Sequence, residues 1–158
     1  MNKIGRTIRR RRREGKTDYR ARLDLLKSDS PRLVVRKTNR YIIAQIVQNE
    51  VAEDKVIMGV NSRDLESYGW PKDKEGSLKN MTAAYLTGFL LAKKSAKTKK
   101  AILDLGPQRN AKKGRLFSVM KGALDGGMEI PCDKKSLPSE ENLDSSLLKI
   151  VKEKINNG

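Results

Sequence analysis

The sequence predicts a mixed α/β fold: a mixed β-sheet of about four to five strands packed by helices, with a basic N-terminal arm and a C-terminal helical extension. Three observations carry this expectation. Aliphatic and β-branched runs follow one another between residues 32 and 60 across short polar breaks. Apolar residues then recur at helical spacing in two later stretches, with a short aliphatic run between them. Beyond Pro131 the composition turns to charged and turn-forming residues and closes on an amphipathic segment.

Taken in order, residues 1–17 have no hydrophobic period and contain five adjacent arginines, Arg9, Arg10, Arg11, Arg12 and Arg13. Such a segment repels itself and is expected to stay unstructured without a partner. Asp18 can cap a helix running to about Leu26, with Leu23 and Leu26 on one side and Arg20, Arg22 and Lys27 largely on the other. The run Ser28-Asp29-Ser30-Pro31 ends it, since a residue before proline avoids the helical region.

The stretch "RLVVRKTNRYIIAQIV" reads as a hairpin, with strands Arg32–Lys37 and Tyr41–Val47 around Thr38-Asn39-Arg40. Lys55–Val60 supplies a third strand. Aliphatic residues on both faces predict a sheet covered on at least part of each. A loose loop, "SRDLESYGWPKDKEG", leads to a helix from about Ser77, the main core helix, in which Gly88 is expected to admit close approach to the sheet. Ala101–Leu105 is a short strand, "RLFSVMKGALDGG" an amphipathic helix stopped at Gly126-Gly127, and "MEIP" a last short strand. This order implies a right-handed crossover onto the sheet of the first three strands. Leu143, Leu147, Ile150, Val151 and Ile155 line one side of a final helix, which needs a surface to pack on. The domain itself and a neighbouring protein both qualify.

With 158 residues, one domain with extensions is the economical organisation: a basic arm over 1–17, an α/β domain over 18–131 and a C-terminal extension with a helix over 132–158. The net charge is +16, of which +11 falls within residues 1–40. That excess points first to nucleic acid and second to an anionic membrane surface. A lone Cys132 and no histidine remove disulfides, familiar zinc sites and triad chemistry. No apolar run approaches the ~18 residues of a membrane span, and the N-terminus lacks the apolar core of a secretory signal. The chain reads as soluble, intracellular and free of cofactors.

Three regions could carry function. The arginine block, with Lys16, is an electrostatic footprint for phosphates, and Tyr19 beside Arg20 and Arg22 offers a ring for an unpaired base. The hairpin gathers Arg32, Arg36, Lys37, Thr38, Asn39, Arg40 and Tyr41 at one end of the sheet, where forked guanidinium groups suit phosphate and guanine. The same charges would also guard an edge strand against aggregation. The loop "GPQRNAKKGRLF" adds Arg109, Lys112, Lys113 and Arg115 before a helix N-terminus. Its glycines are too widely spaced for a nucleotide-binding loop, and no Lys-Ser/Thr pair follows Gly114.

The acidic residues give an enzyme its best chance. Asp104 lies in a predicted strand, but Asp54, Asp64 and Glu66 fall in predicted loops, and no second carboxylate has partnering spacing for a metal-dependent nuclease. Asp104 therefore reads as structural. A non-specific nucleic-acid compaction protein is the other rival to an RNA-binding structural protein.

The stretch "RRRREGKTDYRARLDLLKSDSPRLVVRKTNRYIIAQIV" resembles the opening of the large-subunit ribosomal protein family that binds 5S ribosomal RNA, the eighteenth in the large-subunit numbering. The likeness continues through "GSLKNMTAAYLTGFLLAKKS", "KKAILDLG" and "GRLFSVMKGALDGGMEIP", covering most of residues 9–131 in order. "EGKTDYRARLDLLKS" and "LPSEE" resemble archaeal members. The resemblance implies a cytoplasmic, non-enzymatic protein of the large subunit, monomeric within the ribosome and seated on 5S rRNA in the central protuberance. It also implies contacts with 23S rRNA, the other 5S-binding protein and neighbouring large-subunit proteins. By the same resemblance, Arg9 to Arg13, Lys16 and Tyr19, then Arg32 and Arg36 to Tyr41, and Arg109 to Arg115 face RNA. Where bacterial relatives carry an aromatic-rich loop, this chain has "PQRNAKK", which offers no ring for stacking.

Overall fold

A computed structural model describes residues 7–51, 53–71, 73, 78–95 and 98–157. Helix α1 (Arg10–Arg13) is one turn and α2 is Tyr19–Leu26. Strands β1 (Arg32–Lys37), β2 (Ile42–Glu50) and β3 (Glu53–Asn61) follow, then helix α3 (Met81–Lys94), strand β4 (Ile102–Asp104), helix α4 (Arg115–Asp125) and helix α5 (Ser145–Asn157). The four strands form one sheet in the order β3-β2-β1-β4. β1 runs antiparallel to β2 and parallel to β4, so the chain does cross over to add its last strand beside the first. The expected strand at "MEIP" is reduced to a single parallel bridge between Lys100 and Glu129.

Register decides which side chains share a face. Leu33 opposes Ile46, Val35 opposes Ala44 and Ala44 opposes Val60, and all five are buried. Helices cover that face. On the opposite face Arg22 of α2 reaches Asp54 of β3 at 2.8 Å, while Val56 and Ile57 of β3 remain 51% and 41% exposed. Cover on both faces was expected, and the second is only partly supplied.

Helix α3 is apolar nearly all round, and its residues Thr82–Ala92 are all buried, because it lies between the sheet and both later helices. Gly88 faces α4 and not the sheet: a Cβ there would run into the Val119 carbonyl oxygen, and one on Gly122 into the Tyr85 carbonyl oxygen. The expected close approach is thus between two helix backbones.

The expected loose loop is ordered at its start. Ser62–Tyr68 forms a 3₁₀ helix capped reciprocally by Asn61 and Asp64, with Leu65 and Trp70 buried beneath it. Of the final helix's surface, Leu143, Leu147, Val151 and Ile155 are buried against the domain, chiefly on α3 and this 3₁₀ helix, while Ile150 is 49% exposed and off that stripe. Leu23 is likewise 57% exposed, and no residue of α2 is fully buried. The expected start of α3 at Ser77 falls outside the described residues, and its observed cap is Asn80, which accepts from the Ala83 N–H at 2.7 Å.

Candidate nucleic-acid interface

The arm meets the domain through α2. Asp18 accepts from the N–H groups of Arg20 and Ala21 at 3.0 and 3.1 Å, fixing where that helix begins. Before it, the arginine block forms a helical turn, with the N–H groups of Arg12 and Arg13 bonded to the Arg9 carbonyl. This departs from the unstructured arm expected. Its supports are local: Arg11 Nε donates to Thr17 Oγ1 at 2.8 Å, Glu14 pairs with Lys16 at 2.9 Å, and the Arg9 guanidinium lies 4.9 Å from the Tyr19 ring centroid. The Arg9 guanidinium thus lies over one face of the ring expected to stack an unpaired base. Arg9 to Arg13, Lys16 and Arg20 are all exposed.

The hairpin turn is closed by Thr38. Its hydroxyl donates to the Tyr41 carbonyl and accepts from the Tyr41 N–H, both at 2.9 Å, which leaves Asn39 and Arg40 exposed at the tip. Lys79 Nζ, just before α3, donates to the Asn39 carbonyl at 3.0 Å, and Arg115 donates to the Lys79 carbonyl at 3.3 Å. Gln108 accepts from the Lys37 N–H at 3.3 Å. The hairpin and the late loop, linked between Lys37 and Gln108 across 71 positions of the chain, therefore form one surface around a recess bounded by Lys37, Gln108, Arg109 and Arg115. Lys112 and Lys113 are exposed on the same loop, whose path is held by the Lys113 N–H on the Ser136 carbonyl at 2.9 Å.

An open cleft of about 780 Å³ joins this surface to the arm. The arm and α2 line it with Arg11, Lys16 and Arg22, the late loop with Gly106, Pro107 and Asn110, and β1 with Arg36. Leu103, Leu105 and Phe117 add apolar lining, and Asp18, Asp24 and Asp133 also line it. Arg11 and Lys16 of the arm, Arg22 of α2 and Arg36 of β1 thus border one concave region, which the late loop completes with uncharged residues.

Arg32 does not belong to it. Its side chain is 3% exposed, its Nη1 lies 2.7 Å from Asp104 and its Nη2 2.7 Å from Asp54. A guanidinium so enclosed by two carboxylates cannot reach a phosphate, and its expected place among the RNA-facing residues is corrected. Asp54 belongs to β3 and not to a loop. It also accepts Arg22 at 2.8 Å. Burial works against the Asp54 carboxylate, but hydrogen bonds from Arg22 and Arg32 outweigh it and hold its pKa below the ordinary value. The Arg22 pKa is raised, first by its hydrogen bond to Asp54. Arg36 is partly committed too, reaching the Asp104 carboxylate at 3.1 Å and the Asp104 carbonyl at 2.8 Å.

The line Arg22–Asp54–Arg32–Asp104–Arg36 therefore runs from α2 through three strands with charges alternating throughout. Asp104 also accepts from the Gly106 N–H at 2.9 Å, which sets the start of the late loop. The structural use expected for Asp104 is what the geometry displays. Asp64 serves as a cap, accepting from the Asn61 N–H at 3.0 Å. Among the described residues no three His, Cys, Asp or Glu side chains gather to hold a metal ion, and no helix is long and apolar enough to cross a membrane.

Sequence reasoning missed Lys79 and Gln108. Lys79 carried one usable signal, its position just before the Asn80 cap, which places it at the hairpin end of the core helix. Gln108 carried none, because its partner is far away in the chain.

A family model described as "Ribosomal large subunit proteins 60S L5, and 50S L18" matches residues 5–101 and 92–133. Among curated proteins, the chain is similar to a "Large ribosomal subunit protein uL18" of Methanoregula boonei, 47% identical over 147 residues, which are 92% of this chain and 82% of that one. It is similar to proteins of the same description from Korarchaeum cryptofilum, 48% identical over 136 residues (85% and 68% of the two chains), and Methanoculleus marisnigri, 48% identical over 136 residues (85% and 75%).

Proposed function

Because the chain belongs to the family of large ribosomal subunit proteins described as 60S L5 and 50S L18, we infer that it is a structural constituent of that subunit, binding 5S rRNA and helping attach it to 23S rRNA in the central protuberance. It acts there as a single copy in the cytoplasmic ribosome, without catalysis or cofactor, beside the other 5S-binding protein and neighbouring subunit proteins. The observation that carries this reading is the exposure of cations on the arm, the hairpin tip and the late loop, the last two tied into one surface by the Lys37–Gln108 and Arg115–Lys79–Asn39 hydrogen bonds.

In this reading Arg9 to Arg13, Lys16 and Arg20 neutralise phosphates along the arm, while Lys37, Arg40, Arg109, Lys112, Lys113 and Arg115 do so at the sheet end. Arg22 and Arg36, fixed by carboxylates, present their remaining donors in set directions. Thr38, Asn39 and Tyr41 are placed to meet 2′-hydroxyls or base edges, the groups by which RNA is told from DNA. The arm over 1–17 is treated as one binding unit, the domain over 18–131 as a second, and 132–158 as an extension docked on it.

The experiment is a titration of 5S rRNA with the full chain and with a variant lacking residues 1–17, across a salt series. If about six phosphates are neutralised, affinity falls on the order of a thousandfold from 50 to 200 mM salt. Removing the arm is expected to weaken binding and flatten that slope while the fold persists. Equal affinity for 5S rRNA and random duplex DNA would favour a compaction protein instead.

A further inference from the structure

Helices α3 and α5 lie side by side and run the same way. The Asp144 N–H reaches the Thr82 hydroxyl at 3.0 Å near the start of both, and Lys152 lies over the Tyr85 ring farther along. Their C-terminal ends emerge together, and four lysines converge there. The Lys152 ammonium is 4.6 Å from the Tyr85 centroid and 5.4 Å from that of Phe89, and Lys93 approaches the same Phe89 ring at 5.3 Å. Lys94 is 5.7 Å from the Tyr68 centroid, and the Lys154 ammonium fills the space beside the adjoining Gly69, 2.5 Å from where a Cβ would stand. Cation–π attraction to these rings fixes the ammonium groups in place.

None of the four forms an ion pair among the described residues. Glu153 makes no ion pair with any of them, and the nearby Asp125 carboxylate accepts the Tyr85 hydroxyl at 2.6 Å. Two helix C-termini offset about one positive charge in all, at roughly half a charge each. A surplus remains. Its position is also informative, because α3 begins at the hairpin tip, where Lys79 holds the Asn39 carbonyl. At 1.5 Å per residue, the helix carries Lys93 and Lys94 about 20 Å from that tip, while the Lys152 ammonium, over Tyr85, stands nearer to it.

We infer that this lysine pole is a second RNA-binding surface, gripping the phosphate backbone of a segment other than the one held by the arm and hairpin. The domain then bridges two RNA segments. The inference rests on the RNA-binding reading above. Lysine supports it over a protein partner: ammonium groups act as point charges on phosphates, whereas protein interfaces are depleted in lysine and anchored by aromatic residues, and here the rings lie beneath the ammonium groups.

The test saturates the full chain with 5S rRNA and then titrates in a labelled RNA duplex of unrelated sequence across a salt series. Lys93→Gln, Lys94→Gln, Lys152→Gln and Lys154→Gln together are expected to weaken capture of the duplex about tenfold or more and to lower its log–log salt slope by about three. Affinity for 5S rRNA stays within about twofold, since Lys93 and Lys94 lie well beyond a Debye length of about 8–10 Å from the tip and only Lys152 stands nearer to it. Arginine at the four positions restores capture. If the fourfold variant melts early, the pairs Lys93/Lys94 and Lys152/Lys154 changed separately each lose about half the slope. Duplex capture that ignores the substitutions overturns the inference, as does 5S affinity falling in step with it. Failure of the unaltered chain to bind 5S rRNA strikes the earlier reading instead, and duplex titration of the free chain with the Gln and Arg variants still judges the pole.

Discussion

Arg32 and Asp104, 72 residues apart in sequence, meet at 2.7 Å on adjacent parallel strands, with their side chains only 3% and 8% exposed. Neither charge can be removed singly at low cost. Asp104→Ala leaves a buried guanidinium with half its compensation and is expected to destabilise the fold by about 3–5 kcal/mol. Replacing both partners, Arg32→Leu with Asp104→Leu, should recover a large part of that loss, because two apolar groups leave no uncompensated charge. Urea midpoints of the three variants decide it. An Asp104→Ala midpoint within error of the unaltered protein would mean that water already solvates the pair.

Asp54 makes the network sensitive to acid. Its folded pKa is depressed, so it contributes stability that is complete above its unfolded pKa of about 3.9 and is lost as pH falls through the lower folded value. The stability gap between the unaltered chain and Asp54→Asn should therefore be constant from neutral pH to about pH 5 and close progressively below it. Paired urea titrations at stepped pH measure the gap. A gap that widens on acidification would reverse the sign of the shift and remove the argument.

Two hairpin arginines of similar appearance in sequence are expected to part company. Arg40 is exposed at the tip with no ion pair among the described residues, whereas Arg36 donates to the Val35 carbonyl, the Asp104 carbonyl and the Asp104 carboxylate. Arg40→Ala should weaken 5S rRNA binding and leave stability within about 0.5 kcal/mol. Arg36→Ala should lower stability by about 1.5–3 kcal/mol, the scale for hydrogen bonds to charged groups. Thermal melts run alongside the binding titration separate the two. Equal melts for both variants would show that the Arg36 contacts carry no weight.

What could be read from the sequence was whatever local chemistry decides. β1 has the expected bounds because a proline precedes it and a polar turn follows it, and α2 starts where Asp18 can cap it. Partners distant in the chain were illegible. Arg32 opens a run of three aliphatic residues as a strand-end cation would, and only Asp54 and Asp104, 22 and 72 positions away, reveal that it is buried. The 3₁₀ helix at Ser62–Tyr68 lacks a period of its own, being anchored through Leu65 and the nearby Trp70 in the core. The candidate interface was legible as charge and not as shape. Nothing local says that Gln108 reaches Lys37, or that Arg9 lies over Tyr19.

Gly88 and Gly122 set the spacing of α3 and α4, and the competing effects there can be ranked. Alanine at position 88 would gain about 0.8–1 kcal/mol of helix propensity. Against that, its methyl group would overlap the Val119 carbonyl oxygen, which is backbone and cannot swing aside. Forcing extra volume into a packed contact costs about 1–3 kcal/mol, occasionally more, so the steric loss wins. Gly88→Ala is expected to lower the melting temperature, and Gly88→Val to lower it further, since valine adds volume and fits helices less well. Displacement of α4 also moves Arg115 at its first turn away from the Lys79 carbonyl, 3.3 Å distant in the native fold. Affinity for 5S rRNA, measured well below the melting point, should therefore fall with Gly88→Val even though no charge has changed. An alanine variant that melts higher than the native chain would show that the helices separate freely, and the coupling between their packing and the position of Arg115 would fall with it.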